Sequence, residues 1–195
     1  MMYKRIFKRV IDIILALLAT PFVLLVILIF GPIIYFSDKG PIFYNASRLG
    51  QKGSSFKMFK LRTMIVNAPD LRLPDGSTYN SDDDPRVTRV GKLLRKTSLD
   101  EFPQFLNVLI GDMSIIGPRP DTVDQLPSYQ GENIIILDIR PGITGYNQAF
   151  FRNSIDASEK MKNDCFYVKN MSFRLDLKIF FSTISAVVLR KNINH

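Results

Sequence analysis

Residues 13–36 read IILALLATPFVLLVILIFGPIIYF, 24 consecutive positions without a charge. A helix of about 20 apolar residues crosses the hydrocarbon core of a bilayer, so this run is long enough to cross if straight. It exceeds the usual apolar region of a secretory signal, and no small-residue cleavage site follows it. The flanks do not suit a simple crossing. Lys4, Arg5, Lys8 and Arg9 precede the run; Lys39, Arg48, Lys52, Lys57, Lys60 and Arg62 follow it, with Asp38 the only acid among them. Positive charge marks the cytoplasmic side of a membrane segment, so both flanks are expected on that side. Pro21 removes a helix hydrogen bond near the middle of the run and kinks the axis, and Gly31-Pro32 offers a second break. One reading is a kinked span with a basic domain beyond it. The other is a re-entrant helix that enters, bends at Thr20-Pro21 and returns to the same face; the flanks favour this form. The Thr20 hydroxyl is then a candidate partner for a backbone group freed at the bend.

The chain has 195 residues, 26 Lys plus Arg against 18 Asp plus Glu, and 46% hydrophobic residues. That suits one modest domain, or one domain with an appended membrane element, and excludes both a disordered chain and a polytopic membrane protein. A single cysteine, Cys165, excludes a disulfide framework and a four-cysteine zinc site. The single histidine, His195, is the last residue, which removes histidine triads, clusters and general bases from consideration. Chemistry is left to carboxylates, arginines, lysines, hydroxyls or an oxygen-liganded metal. The net charge of +8 fits a solvated basic face or attraction to anionic lipid. No nucleic-acid motif accompanies it.

Beyond the apolar run, the boundaries 1–36 and 37–195 divide a membrane element from a catalytic-sized domain. Ile42–Tyr44 and Phe56–Leu61 read as short strands around the polar turn Gly50–Ser54. Residues 67–86 hold three prolines and the acids Asp82, Asp83 and Asp84, and read as a mobile loop. Val87–Lys96 predicts a short helix, and Leu99–Ile110 a second with an apolar stripe, stopped by Gly111. Ile134–Ile139 predicts a strand. Residues 176–190 predict an amphipathic helix suited to a membrane interface. The expected class is α-rich α/β, with short strands and interfacial helices beside the membrane element.

Asp100 and Glu101 open the second helix. Ser98 and Glu101 fit a capping box, and acids in a first turn suit the helix dipole, so the pair has a purely structural explanation. Pro103 places the helix start close to the pair, where backbone N–H groups also favour anions such as phosphates. A bound Mg²⁺ would let a carboxylate approach a phosphoryl group despite their like charges. Pro118-Arg119-Pro120 restricts the backbone around one arginine, whose fork matches phosphate bidentately; a solvated surface turn fits the tripeptide equally. Arg140-Pro141-Gly142-Ile143-Thr144-Gly145 repeats the theme, with Gly142 and Gly145 able to admit a close backbone approach or simply to make a turn. Arg152 and Asn153 follow.

Taken together, these segments resemble the bacterial sugar transferases, monotopic polyprenol-phosphate phosphoglycosyl transferases. The resemblance is carried, in order, by Lys8-Arg9-Val10-Ile11-Asp12, by Phe59-Lys60-Leu61-Arg62-Thr63-Met64 and by Asp84-Pro85-Arg86-Val87-Thr88-Arg89-Val90-Gly91. It continues through Thr97 to Gln104, Asn107 to Ser114, Gly117-Pro118-Arg119-Pro120, Arg140 to Gly145 and Asp164 to Asn170. Each motif is moderately specific; the ordered set is highly so.

The resemblance implies an enzyme at the cytoplasmic face of the bacterial inner membrane. It implies that Asp100 attacks the β-phosphate of a UDP-sugar, releasing UMP and leaving a phosphosugar–aspartyl intermediate. A polyprenol phosphate such as undecaprenyl phosphate then takes the phosphosugar. Mg²⁺ is implied at Asp100, with Glu101 assisting, and Arg119 and Arg152 binding phosphate. Lys60, Arg62, Arg95 and Arg140 are implied as further substrate-binding residues, and Asp12 as an anchor of the membrane helix. Membrane lipids and downstream glycosyltransferases are the implied partners, and a minimal catalytic form is the implied organisation. Departures are Thr20-Pro21 where many relatives have Ser-Pro, Tyr146 where many have Trp, and Asn147–Asn153 in place of a Gly-Arg-Asn form, which leaves the sugar open. A non-catalytic lipid-bound adaptor and a Mg²⁺ phosphohydrolase using water as acceptor are the competing classes. The retained Asp100-Glu101 and Arg119 argue against the adaptor.

Overall fold

The structure, a computed structural model, describes residues 2–71, 79, 81, 83–151 and 155–188. It is mostly helical, with a few short strands and one long apolar N-terminal helix. After a π-helical turn at Tyr3–Phe7, helix α1 runs from Lys8 to Asp38 with Pro21 and Pro32 inside it. The Thr20 hydroxyl donates to the Ala16 carbonyl at 2.8 Å. That is one residue short of Leu17, whose carbonyl is the one the proline ring leaves unserved. The hydroxyl therefore draws on the preceding turn, a contact that bends helices.

Two separated patches of α1 are buried. Lys8, Asp12 and Ala16 lie one turn apart near the start; Val23, Val26, Gly31 and Ile34 follow beyond the proline. Ala16 packs with Val108, Met113, Ile115, Tyr167 and Ile179, and Val26 and Ile34 pack with Leu61 and Leu94. Between and beside them Leu17, Leu18, Phe22, Leu24, Leu25 and Leu28 face outward, Leu28 at 73% exposure. Exposed apolar surface on this scale marks an interaction or membrane site rather than an ordinary soluble face.

Both ends of α1 are also fixed by polar contacts. Asp12 Oδ1 accepts from the Ile115 amide at 3.0 Å and Oδ2 from the Ser114 hydroxyl at 2.8 Å. The Lys8 ammonium sits 2.7 Å from Asp176, and Arg9 donates to the Val108 carbonyl at 2.7 Å. At the other end, Asp38 takes a forked pair of 2.6 Å bonds from Arg62.

Strands β1 (Ala46–Leu49) and β2 (Ser55–Met58) form an antiparallel hairpin around the Gly50–Ser54 turn. Ile42–Tyr44 is not a strand; Phe43 makes a single bridge to Leu61. The described part of 67–86 has no helix or strand, and Asp82 lies outside the described residues. Asp84 is committed to a buried pair with Arg86 at 2.7 Å, so it does not join Asp83 in a cation site.

Helix α2 spans Arg89–Thr97, capped by the Thr88 hydroxyl accepting from the Gly91 amide. The helix expected over Leu99–Ile110 is divided: a 3-10 turn covers Leu99–Glu101, and α3 spans Gln104–Ile110. Ser98 adopts a left-handed conformation that closes α2, and its side chain caps nothing. The expected capping box is thus absent, because Ser98 cannot end one helix and cap the next in the same backbone state. Strands β3 (Ser114–Ile116) and β4 (Gly142–Thr144) pair in parallel. The strand expected at Ile134–Ile139 is instead a 3-10 segment, Gly131–Asp138. Ile136 packs with Leu49, Tyr129 and Cys165, so side-chain packing overrides the β preference of the isoleucines. Helices α4 (Tyr146–Phe150), α5 (Ala157–Asn170) and α6 (Phe173–Val188) complete the described residues; α6 starts a turn earlier than expected.

Candidate active site

Backbone pairing brings Lys60 to the carboxylates. The Leu61 amide donates to the Asp100 carbonyl at 2.9 Å. One turn into α3, Asn107 accepts from the Phe59 amide and donates to the Lys57 carbonyl, both at 2.8 Å. These three bonds lay residues 57–61 along α3 and its preceding turn. Lys60 Nζ then lies 2.8 Å from Asp100 Oδ2 and 3.3 Å from Glu101 Oε1. Asp100 is 2% exposed.

Arg119 arrives from the opposite side on a clamped loop. The Gly117 amide donates to the Thr144 carbonyl and the Gly142 amide to the Pro118 carbonyl. A Cβ on Gly142 would strike the Gly117 backbone, and one on Gly145 would strike the Gly117 carbonyl. The glycines of the 140–145 segment therefore admit residue 117 of this chain, and so seat the rigid Pro118-Arg119-Pro120 turn. Arg119 Nη2 reaches Glu101 Oε1 at 2.6 Å and Nη1 reaches Oε2 at 3.3 Å.

Burial pushes the Glu101 carboxyl up, but the charges and hydrogen bonds of Arg119 and Lys60 outweigh it and hold it down to about 2. The attraction of Glu101 in turn raises the Arg119 guanidinium, against the effect of its burial. The result is an ionised Glu101 next to Asp100, with two cations against the pair and Arg119 still 38% exposed at its side chain. Such a cluster has a carboxylate for nucleophilic attack beside cations able to receive phosphate oxygens.

Other expected residues fall differently. Arg62 is buried, and its guanidinium is engaged by Asp38, Pro41, Met64 and Ile34; its surroundings make it a tie between α1 and the domain. Arg140 donates to the Gly111 carbonyl at 2.7 Å. Arg95 donates to the Thr63 hydroxyl at 3.0 Å, and burial lowers its basicity against the opposing charges of Asp100 and Asp84. Arg152 lies outside the described residues. The hairpin adds Arg48, read from sequence only as a flanking charge: the Leu49 amide bonds the Asp121 carbonyl, and Arg48 bridges to Thr122, just past Arg119. Only long-range pairing reveals that position.

Among the described residues no group of three or more acidic, cysteine or histidine side chains is poised for a metal. Mg²⁺ is nonetheless suited to Asp100 and Glu101, because it typically binds through one or two carboxylates completed by substrate phosphates and water.

The chain thus joins one long apolar helix to a cluster of Asp100, Glu101, Lys60 and Arg119. Residues 3–190 match the bacterial sugar transferase family, and the chain belongs to that family. The exopolysaccharide production protein ExoY of Sinorhizobium fredii is 41% identical over 195 residues, covering 94% of this chain and 86% of ExoY. An uncharacterized sugar transferase of Haemophilus influenzae is 39% identical over 204 residues, 96% of this chain but 42% of that protein. A UDP-N-acetylgalactosamine-undecaprenyl-phosphate N-acetylgalactosaminephosphotransferase of Aeromonas hydrophila is 38% identical over 191 residues, covering 93% and 43% respectively. The chain thus spans less than half the length of the last two relatives.

Proposed function

We propose that the protein is a phosphoglycosyl transferase that moves a sugar-1-phosphate from a UDP-sugar to a membrane polyprenol phosphate. The observation that carries this reading is the buried Asp100 beside Lys60, Glu101 and Arg119 in a member of the sugar transferase family. The named activity of the Aeromonas relative supports the donor and acceptor classes.

In the proposed reaction a carboxylate oxygen of Asp100 attacks the β-phosphorus of the donor. The bond from that phosphorus to the bridging oxygen breaks, and UMP leaves with the electron pair. A phosphate oxygen of the polyprenol phosphate then attacks the same phosphorus. The aspartyl–phosphorus bond breaks, the Asp100 carboxylate is regenerated, and polyprenol-diphospho-sugar departs. Splitting one displacement into two lets a soluble donor and a lipid acceptor use one nucleophile in turn. Lys60 holds Asp100 in place, and Arg119 offers its exposed edge to phosphate oxygens while Glu101 fixes its orientation. Mg²⁺ held by Asp100, with Glu101 beside it, would neutralise charge on the phosphates.

A re-entrant α1 is part of the proposal. Fixation of both its ends to one domain, with an outward apolar bend region between, supports entry and exit on the same face. The basic flanks support the cytoplasmic face of the inner membrane. Labelled UDP-sugar given without acceptor is expected to leave label covalently on the protein, and none on Asp100→Asn. A membrane-impermeant reagent reacting at Met2 from the periplasm, with the Asp100 domain inside, would overturn the topology.

A further inference from the structure

We propose that Arg48 is a second phosphate-binding arginine, holding the nucleotide-side phosphate of the donor next to Arg119. The inference rests on the function proposed above and adds a residue to its site.

Strand alternation directs Leu49 into the core, where it is 3% exposed, and Arg48 to the opposite face. That face abuts the segment after Arg119, through the Arg48 to Thr122 bridge and the Leu49 amide on the Asp121 carbonyl. Burial, and after it the charge of Arg119, lowers the basicity of Arg48. The Arg48 side chain makes no hydrogen bond or ion pair to a described residue, although Arg48 is partly buried. Its acidic surroundings are engaged elsewhere. Asp121 takes bonds from Lys160 at 2.9 Å and Tyr129 at 2.7 Å, and Glu101 is held by Arg119 and Lys60. Asp121, Asp124 and Tyr44 favour the charge of Arg48 only from a distance.

Two like charges brought together in a partly desolvated place, one of them without a bonded partner, are stabilised by an anion that both can reach. Position selects the phosphate. Arg119 touches Glu101, next to Asp100, and Arg48 bridges to Thr122, three residues beyond Arg119. Arg48 is thus reached from the nucleophile by way of Arg119 and the segment that follows it. In the proposal, a donor whose β-phosphate meets Asp100 and Arg119 carries its nucleotide-side phosphate on to Arg48, where a departing UMP would be held as its charge develops.

The test compares full-length protein in detergent or nanodiscs with Arg48→Gln and Arg48→Lys. Charge-assisted hydrogen bonds of this kind correspond to about tenfold or more in affinity. Arg48→Gln is expected to raise KM for the UDP-sugar, and to weaken inhibition by added UMP, by at least that factor. KM for undecaprenyl phosphate and the thermal midpoint are expected to stay unchanged, and Arg48→Lys to recover part of the loss. A raised acceptor KM with donor KM unchanged would assign Arg48 to the lipid phosphate and overturn the proposal, as would unchanged donor kinetics and UMP inhibition. Wild-type protein inactive on every UDP-sugar would instead count against the underlying function, and UMP binding measured directly on wild type and Arg48→Gln then decides the role of Arg48 separately.

Discussion

Glu101 and Arg119 form a forked pair, with Oε1 to Nη2 at 2.6 Å and Oε2 to Nη1 at 3.3 Å. The pair joins the turn bearing Asp100 to the loop seated by Gly117 and Gly142. It also fixes the protonation of Glu101. With its folded-state value held down to about 2, Glu101 is ionised throughout the range in which the protein would be assayed. Its contribution to stability is complete above the unfolded value near 4.5 and is lost as pH falls from there through about 2.

The first prediction concerns pH. An ionised Glu101 cannot serve as a general acid near neutrality. Glu101→Gln is expected to lower kcat by roughly 10²-fold, the scale of losing a preorganised electrostatic contact, while leaving the position of any pH limb above 5 unmoved. A limb that disappears in Glu101→Gln would show that this carboxyl titrates in turnover.

Asp12 supports a second. It accepts from the buried Ile115 amide and the Ser114 hydroxyl. Asp12→Ala leaves that amide unpaired, which costs about 1–3 kcal/mol. A thermal midpoint in detergent lowered by several degrees is expected, with Asp12→Asn losing less because its carbonyl oxygen still accepts. Equal midpoints for wild type and Asp12→Ala would remove this anchor.

At Gly142 the expectation is steric. A methyl group there meets the Gly117 backbone rather than a flexible side chain. Gly142→Ala should destabilise the β3–β4 pair by about 1–3 kcal/mol and displace Arg119, so that turnover falls together with stability. A fully active, equally stable Gly142→Ala would mean that the loop is not seated this way.

Asp164 gives a pH dependence of opposite sign to that of Glu101. Burial, helped by Asp121, outweighs Lys160 and the Asn147 hydrogen bond and pushes its carboxyl up to about 7. Between about 4 and 7 the folded state holds a proton that the unfolded state has lost. Stability from this group is therefore complete below about 4 and falls as pH rises through 7. Asp164→Asn, which is neutral at every pH, is expected to gain midpoint relative to wild type between pH 5 and pH 8. A difference that stays constant across that range would contradict the assignment.

Much of the candidate site is legible because its parts are local in sequence. The uncharged run, the adjacent Asp100 and Glu101, and the proline-bounded Arg119 each stand out without a structure. What was not legible depends on partners distant in the chain. Arg62 looks like a substrate-binding cation beside Lys60, yet Asp38 at the end of α1 engages it. Gly142 and Gly145 signal a close approach, but only the β3–β4 pairing shows that Gly117 is what approaches. Isoleucines at 134–136 suggest a strand, whereas packing of Ile136 on Cys165 and Tyr129 holds a 3-10 segment. In sequence Arg48 reads as a membrane-flank charge, because nothing nearby links it to Arg119.

The most direct test of the account is UMP release. Purified full-length protein is given a panel of UDP-sugars with Mg²⁺, with and without undecaprenyl phosphate, alongside Asp100→Asn. The account predicts acceptor-dependent release of UMP from at least one donor by wild type, and none above background by a folded, membrane-associated Asp100→Asn. Sustained release by that variant, or multiple-turnover release by wild type that ignores the acceptor, would contradict it.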